Sequence, residues 1–532
     1  MADTGLLMGT NKGRWVLFAT ILGSGLAMLD ATVVNVALGR IGRDFDAGFD
    51  GLQWTINAYT LTLAALILLG GSLGDRFGRR RVFVIGTVWF AAASLLCGLA
   101  PSIEALVAAR ALQGVGGALL TPGSLAIISA SFAHKDRAAA VGAWSGLGGI
   151  AAAVGPFLGG WLVEWTWRSV FLVNVPVAVL IVAVAARHVP ESKDPQASPH
   201  LDIAGTVLGA LGLAGLTYAL IAAGNGALQT DVLVTGVVGV LALIGFVEVE
   251  RRSSHPLVPL DLFANGQFNA ANAVTLVVYG AMGGVFFLLV LQLQIVSGFS
   301  PLAAGTALLP ITVLMLFLSA RAGGLAQRIG PRVPMTVGPL VSAAGLLLTL
   351  RVGENASYLL DVLPAVIVFG LGLSLTVAPL TATVLGSAED RHAGVASGVN
   401  NAVARAAGLI AVAVIPVAAG ITGAVYRDPP AFNDGFRTAT MVGGALLALG
   451  GVLSFLFIRQ PMLAKIEEEA AVTEPVGAEV APAAEGVALG KELAKAGPAE
   501  RIALEECWHC GVSGPQVYPS AEPAAGTPRA AR

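Results

Sequence analysis

Apolar runs about as long as a bilayer is thick follow one another through most of this chain, and the short stretches between them hold most of its charge. A spanning helix needs about 20 predominantly apolar residues, and a backbone in hydrocarbon has to satisfy its own hydrogen bonds. With 55% hydrophobic and 12% charged residues and a mean hydropathy of +0.78, a chain of 532 residues is too apolar for a soluble protein. Spans are expected at 15–38, 54–73, 82–99, 104–130, 138–162, 169–186, 203–223, 232–249, 269–291, 301–320, 333–350, 359–383, 394–422 and 438–458. The expected fold class is therefore an all-α polytopic membrane protein of about fourteen helices. The first run follows Lys12 and Arg14 and continues to Leu38, longer than a signal-peptide core, so it reads as a retained helix.

The net charge of -2 is spread over loops and tail, which points away from nucleic acid. Cys97 lies in an apolar run and Cys507 and Cys510 in the tail, so no disulfide framework is expected. Cys507-Trp508-His509-Cys510 is a single C-x-x-C and is assigned no metal.

The most charged short loop is Gly71-Ser72-Leu73-Gly74-Asp75-Arg76-Phe77-Gly78-Arg79-Arg80-Arg81. Arginines stay out of hydrocarbon and concentrate on the cytoplasmic face, so helices two and three should meet inside the cell. The glycines allow a sharp turn, and Asp75 is placed to cap a helix or pair with a nearby arginine. Counted over alternate loops, eighteen basic residues fall on this side, and six, Arg40, Arg43, Arg168, Arg351, Arg427 and Arg437, on the other. Both termini are therefore expected in the cytoplasm.

The chain also repeats itself. Gly323-Gly324-Leu325-Ala326-Gln327-Arg328-Ile329-Gly330-Pro331-Arg332 echoes the arginine turn, with Gln327 in the place of Asp75, and Asp390-Arg391-His392 echoes the start of the fifth run at Asp136-Arg137-Ala138. Two six-helix bundles follow, 1–187 and 269–458, with two linker helices inserted at 188–268. Parallel halves of this kind suit a protein that rocks around a central site. The tail, 459–532, is rich in Ala, Glu, Pro and Gly and is expected to be largely disordered and cytoplasmic.

Embedded ionisable residues are functional candidates by default, since a charge at mid-span costs about 2.5–3.5 kcal/mol. Asp30 is the acid of the first run and Arg110 the base of the fourth. At 1.5 Å per residue both lie roughly 10 Å from the same membrane face, so they could pair directly or through Gln113 or water. A change in their separation would then load or release a proton, whereas a static bridge between the two helices would not. Arg405, with Asn400 and Asn401, lies deep in the thirteenth run, where it would act as a structural lock or as a substrate or coupling group. Asn35 is a further cavity candidate, and Asn57, Tyr59, Gln292 and Gln294 are weaker ones, with helix contacts or loop-edge groups as the alternative reading. Pro156, flanked by Gly155, Gly159 and Gly160, should bend the fifth helix where close packing can change.

Several of these stretches resemble the motifs of one family, the fourteen-helix drug/proton antiporters of the major facilitator superfamily. The arginine turn is similar to motif A, G-x-L-a-D-r-x-G-r-k, with Arg80 at the usual lysine. Leu29-Asp30-Ala31-Thr32-Val33-Val34-Asn35-Val36-Ala37-Leu38 resembles L-D-x-T-v-v-N-v-A-L-P, departing at Gly39. The stretch from Leu106 to Ala118 resembles motif B, whose arginine, here Arg110, is implicated in proton transfer. Gly155-Pro156-Phe157-Leu158-Gly159-Gly160 resembles the antiporter motif C, with Ala151 at the upstream glycine, and that motif favours exporters. The stretch from Trp167 to Pro176 resembles the W-R-x-x-F-x-x-N-x-P entry to helix six, and Trp165 and Trp167 suit an interfacial aromatic belt.

The resemblance covers residues 14–458 and implies a proton-coupled exporter of hydrophobic drugs or natural products, with Asp30 and Arg110 in proton coupling and Gly71, Asp75, Arg76, Gly78, Arg79 and Arg80 in a conformational switch. The expected partners are protons, a small hydrophobic molecule and the lipid bilayer, in a monomer of the bacterial inner membrane. No cofactor is expected; no Walker A pattern occurs, and the proton gradient would supply the energy. A metabolite or lipid carrier on the same scaffold and a non-transporting membrane sensor are the alternatives. A membrane enzyme would need a convergent nucleophile, metal set or acid pair, which the apolar runs do not offer.

Overall fold

The computed structural model describes residues 5–459 except 195–201, 225–228, 254–255, 257, 389–392 and 424. The tail expected at 459–532, with Cys507 and Cys510, therefore lies outside the described residues beyond Arg459, as does the Asp390-Arg391-His392 echo. Among the described residues regular structure is helical, with one isolated bridge between Leu6 and Phe132. Thirteen helices are long and apolar enough to cross a membrane. They are α1 (Asn11–Asp44), α2 (Phe49–Phe77), α3 (Arg79–Gly98), α4 (Ile103–Ser131), α6 (Ser169–His188), α7 (Ile203–Ala223), α8 (Thr230–Arg252), α9 (Gly266–Ile295), α10 (Pro301–Ile329), α11 (Arg332–Arg351), α12 (Tyr358–Gly386), α13 (Val395–Ala418) and α14 (Pro429–Phe457). With α5 (His134–Trp165), helices stand at all the expected spans.

Local chemistry sets the helix ends. Thr10, Ser102, Asn265 and Ser300 each accept a hydrogen bond from a backbone N–H of the first turn, capping α1, α4, α9 and α10. Helix α6 breaks between Leu172 and Asn174, because Pro176 has no N–H to offer the Leu172 carbonyl. The two repeated turns have the same construction. Helices α2 and α10 each stop at a glycine with positive φ, Gly78 at 118° and Gly330 at 83°. Two residues on, Arg80 donates to the carbonyl of Val189 at the end of α6, and Arg332 donates to that of Phe455 at the end of α14. The halves therefore repeat down to single hydrogen bonds.

The first bundle closes around one set of apolar residues that includes Phe83, Phe90 and Ile127, and the second around another that includes Phe268, Phe369 and Phe436. Helix α7 packs on both α2 and α13, covering that seam between the bundles, and carries α8 outside it. Leu233, Val237, Leu241 and Ile244 of α8 remain exposed, as a lipid-facing helix requires.

At the end opposite the arginine turn the bundles are bolted together. Gln53 donates to Val412 at 2.7 Å, Gln294 to Val36 at 3.0 Å, and Arg427 pairs with Asp46 at 2.7 Å. Tyr426 donates to the Ala47 carbonyl, and Phe49 is buried against Phe287 and Tyr426. On the flank away from α7, α5 meets α10 almost backbone to backbone. A Cβ at Gly160 would lie 2.5 Å from Leu302 Cα, and one at Gly305 would lie 2.2 Å from the Pro156 carbonyl oxygen. Gly305→Val is therefore expected to force α5 and α10 apart, destabilising the fold by about 1–3 kcal/mol. A lowered thermal midpoint in detergent, with faster maleimide labelling of a cysteine placed at Val36, is the result to look for.

Candidate functional site

The sequence places Asp30 and Arg110 at similar depth, and the structure brings them into direct contact. Arg110 Nη1 lies 2.5 Å from Asp30 Oδ2, with both side chains fully buried. Every helix around the pair adds to its network, directly or through Gln113. From α4, Gln113 Nε2 donates to Asp30 Oδ1 at 2.8 Å while its Oε1 accepts from Arg110 at 2.6 Å. From α2, the Thr55 carbonyl accepts from Arg110 Nε at 3.0 Å. From α3, Ser94 Oγ accepts from Gln113 at 2.9 Å, and Cys97 lies 3.6 Å from Gln113 Oε1. From α6, Asn174 Nδ2 donates to Asp30 Oδ1 at 3.0 Å and to Ser94 Oγ at 3.3 Å. The Arg110 guanidinium also lies over the Tyr59 ring at 4.4 Å and over that of Phe171 at 5.7 Å. A carboxylate with three donors and a guanidinium with acceptors and aromatic faces form a charge-paired set that exists without water.

Asn174 is the member that sequence reasoning did not pick out. It sits in the stretch quoted for the entry to helix six, two residues before Pro176, and the break in α6 presents it to Asp30. The one signal was an amide inside an otherwise apolar run. Trp167 departs from its expected place in an interfacial belt. It is fully buried, donating to Asp44 Oδ2 at 2.8 Å and packed edge-on to Phe45 and Phe171, because an acid at the end of α1 is there to take its N–H. Trp165 is 71% exposed, as a belt residue should be.

Around the arginine turn, Asp75 Oδ1 accepts from Arg79 at 2.7 Å, and the extended stretch after α6 docks against it. Arg79 N donates to Ser192 O, Asp194 N to Asp75 O, and Glu191 takes both the backbone N–H and the guanidinium of Arg80. These partners all belong to the first half of the chain. Arg76, in the last turn of α2, lies over the ring of Phe77. In α2 itself Gly71 faces Pro122 of α4 at ordinary contact distance.

A cavity of about 620 Å3 lies between the bundles, lined by Thr32 and Asn35 of α1, Pro156 of α5, Met282 and Phe286 of α9, Thr312 and Ser319 of α10 and Leu373 of α12. Its size suits a drug-sized molecule and its walls are mainly apolar. The glycines of α5 divide between two duties. A Cβ at Gly155 or Gly159 would strike Thr32 or Val33 of α1, whereas Gly160 faces α10 across the seam. Of the other cavity candidates, Asn35 lines this space, with Nδ2 bound to Ala31 O and Oδ1 unpartnered. Gln113 is committed to the Asp30 cluster. Asn400 ties α13 to α9 through Asn272 at 3.1 Å and Thr275 at 2.7 Å, and Asn401 is exposed, donating to Ser397. Asn57 and Tyr59 are fully buried, with their polar atoms unpartnered. Gln292 donates to Val352 O and Asn433 within the second bundle, and Arg405 of α13 has Tyr59 of α2 and Tyr279 of α9 within electrostatic range.

Two helical bundles with a seam cavity between them and a buried ion pair within the first are the architecture that membrane transporters with rocking halves use. The family model described as Major Facilitator Superfamily matches residues 20–413. The chain belongs to that superfamily and is a multi-pass membrane transporter, not an enzyme. It is 38% identical over 392 residues to the multidrug resistance protein Stp of Mycobacterium tuberculosis, covering 73% of this chain and 72% of Stp. It is 34% identical over 429 residues to the tetracenomycin C resistance and export protein of Streptomyces glaucescens, covering 78% of each. Among solved structures, a bacterial homologue of the human lysosomal transporter Spinster, inward-facing and unoccupied, shares the fold with a TM-score of 0.60 at 17% identity, covering 85% of this chain and 98% of that one.

Removing one partner of a buried pair strands the other charge, at a cost of about 3–5 kcal/mol. Arg110→Gln is expected to lose that much stability, whereas the doubly neutral Asp30→Asn, Arg110→Gln variant should lose less than the two single changes together. Chemical unfolding of the four proteins in detergent measures the difference.

Proposed function

We propose that the protein exports hydrophobic drugs or natural products in exchange for protons, alternating the access of a central cavity. The observation that carries the reading is Asp30, a fully buried carboxylate whose charge is held by Arg110 inside the first bundle. Separating that pair on rocking would leave the acid to take a proton, and restoring it would expel the proton. Substrate export is supported by the names of the relatives, which are resistance and export proteins, and by the apolar seam cavity. One proton moving down a membrane potential supplies about 2.3 kcal/mol per 100 mV, and no cofactor is invoked.

In this proposal both termini are cytoplasmic, in keeping with the basic loops, and the protein acts as a monomer in the cell membrane. The bolted end, with Gln53, Gln294 and Arg427, is then the outer one, and the form described here faces inward. The arginine turn would gain contacts to the second bundle when the cavity opens outward, since its present partners lie in the first half of the chain.

Purified protein in liposomes, under an inward proton gradient and presented with a panel of lipophilic drugs, tests the reading. Wild type is expected to release protons inward when drug is added, and Asp30→Asn to show no such release. Equal release by both would remove Asp30 from the mechanism, and no drug-dependent signal in either would count against drug antiport. Asp75→Asn should leave stability within about 1 kcal/mol, because the Asp75–Arg79 pair is part-exposed, yet slow flux severalfold. Unchanged flux in that variant would exclude the turn from switching.

A further inference from the structure

The second bundle holds a cation that the acids among its described residues do not reach. Glu354, Asp361, Asp428 and Asp434 all fall between its helices or near their ends, whereas Arg405 lies in the middle of α13. Among the described residues the Arg405 guanidinium makes no ion pair and donates no hydrogen bond, and its Nε is buried without a partner. Its titratable neighbours within electrostatic range are Tyr59 of α2 and Tyr279 of α9, neither of them a carboxylate. A guanidinium is always charged in proteins, and an embedded charge without a counter-ion is costly. The contrast with Arg110, which has an acid, an amide, a carbonyl and two aromatic faces, is sharp. A structural lock would show its partners.

The surroundings are polar and equally unsatisfied. Helices α2 and α13 run antiparallel between two fixed points, the Gln53 bond to Val412 O and the contact of Leu68 with Gly398. That register sets Arg405 level with Thr60, and Asn57 about one turn nearer Gln53, opposite Gly408. Both amide atoms of Asn57 and the hydroxyl of Tyr59 are buried and unpartnered. A Cβ added at Gly408 would meet nothing within 4 Å, so open space adjoins them. Tyr279 precedes Met282 and Phe286 at spacings of three and seven on α9, the face that lines the apolar seam cavity.

We infer that Arg405 anchors an anionic group of the transported molecule, a carboxylate or an ionised phenol or enol on a hydrophobic frame. Asn57 supplies a further donor to that group, and the seam cavity takes the apolar body. The planar fork of arginine suits two acceptor oxygens side by side. The site thus selects amphiphilic organic anions. This rests on the exporter reading, whose substrate class it narrows.

Fluorescein, which carries a carboxylate and an ionised phenol, and rhodamine 123, a cationic dye on a similar frame, make a matched pair of probes. Their binding to the full chain in nanodiscs is read by fluorescence anisotropy, and the thermal midpoint reports folding. Wild type is expected to prefer fluorescein, and Arg405→Gln to weaken fluorescein about tenfold or more while rhodamine 123 changes by less than about twofold. Arg405→Lys should keep part of the preference, and Asn57→Leu should show a smaller loss confined to fluorescein, which serves if Arg405→Gln does not fold. No binding of fluorescein by wild type, unchanged binding in Arg405→Gln, or equal weakening of both dyes would overturn the anion site. Flux of the two dyes in proteoliposomes separates the two readings. Arg405-dependent fluorescein binding without movement of either dye under a proton gradient counts against the exporter and leaves the site standing. Movement of rhodamine 123 without Arg405-dependent fluorescein binding does the reverse.

Discussion

A carboxylate and a guanidinium drawn together out of water set the terms on which the first bundle assembles. Neither Asp30 nor Arg110 is tolerable alone at that depth, and their remaining donors and acceptors each have to be met. Helices α1 and α4 bring the charges, while α2, α3 and α6 each contribute one atom or side chain that the pair requires. Five helices are thereby held in register by directional bonds, where dispersion between apolar side chains would let them slide. The same directionality makes the pair sensitive to small displacements of any of the five.

The second bundle is built differently. Its counterpart of the arginine turn has Gln327 where Asp75 stands, and its buried polar contacts are neutral amide and hydroxyl pairs such as Asn400 with Asn272 and Thr275. The repeat therefore preserves backbone construction, including the glycines at 78 and 330 and the arginines that close on α6 and α14, while among the described residues the fully buried ion pair is on one side. An architecture can be duplicated while its charge is not.

Much of this was legible in the sequence because membrane helices obey one-dimensional rules. Length and hydropathy placed the spans, loop charge gave an orientation, and the expense of an embedded charge singled out Asp30 and Arg110. What was not legible depends on rotation about a helix axis. Nothing in the run containing Asn174 says that its amide turns toward Asp30, since that follows from the break before Pro176. Trp167 reads as an interfacial residue until Asp44 is seen to accept its N–H. The docking of Glu191 and Ser192 on the arginine turn was hidden because it joins segments more than a hundred residues apart, with backbone groups of the turn meeting the Glu191 carboxylate and the Ser192 carbonyl, and backbone groups have no sequence signature.

The inserted pair of helices has a geometric result of its own. With α7 laid across α2 and α13, one boundary between the halves carries a splint, and the other, where α5 meets α10, has none. A boundary with a splint can flex but resists parting, so the molecule has a front and a back within the plane of the bilayer. Solutes dissolved among the lipids would meet the cavity from one compass direction, and neighbouring proteins could sit against α8 without blocking it.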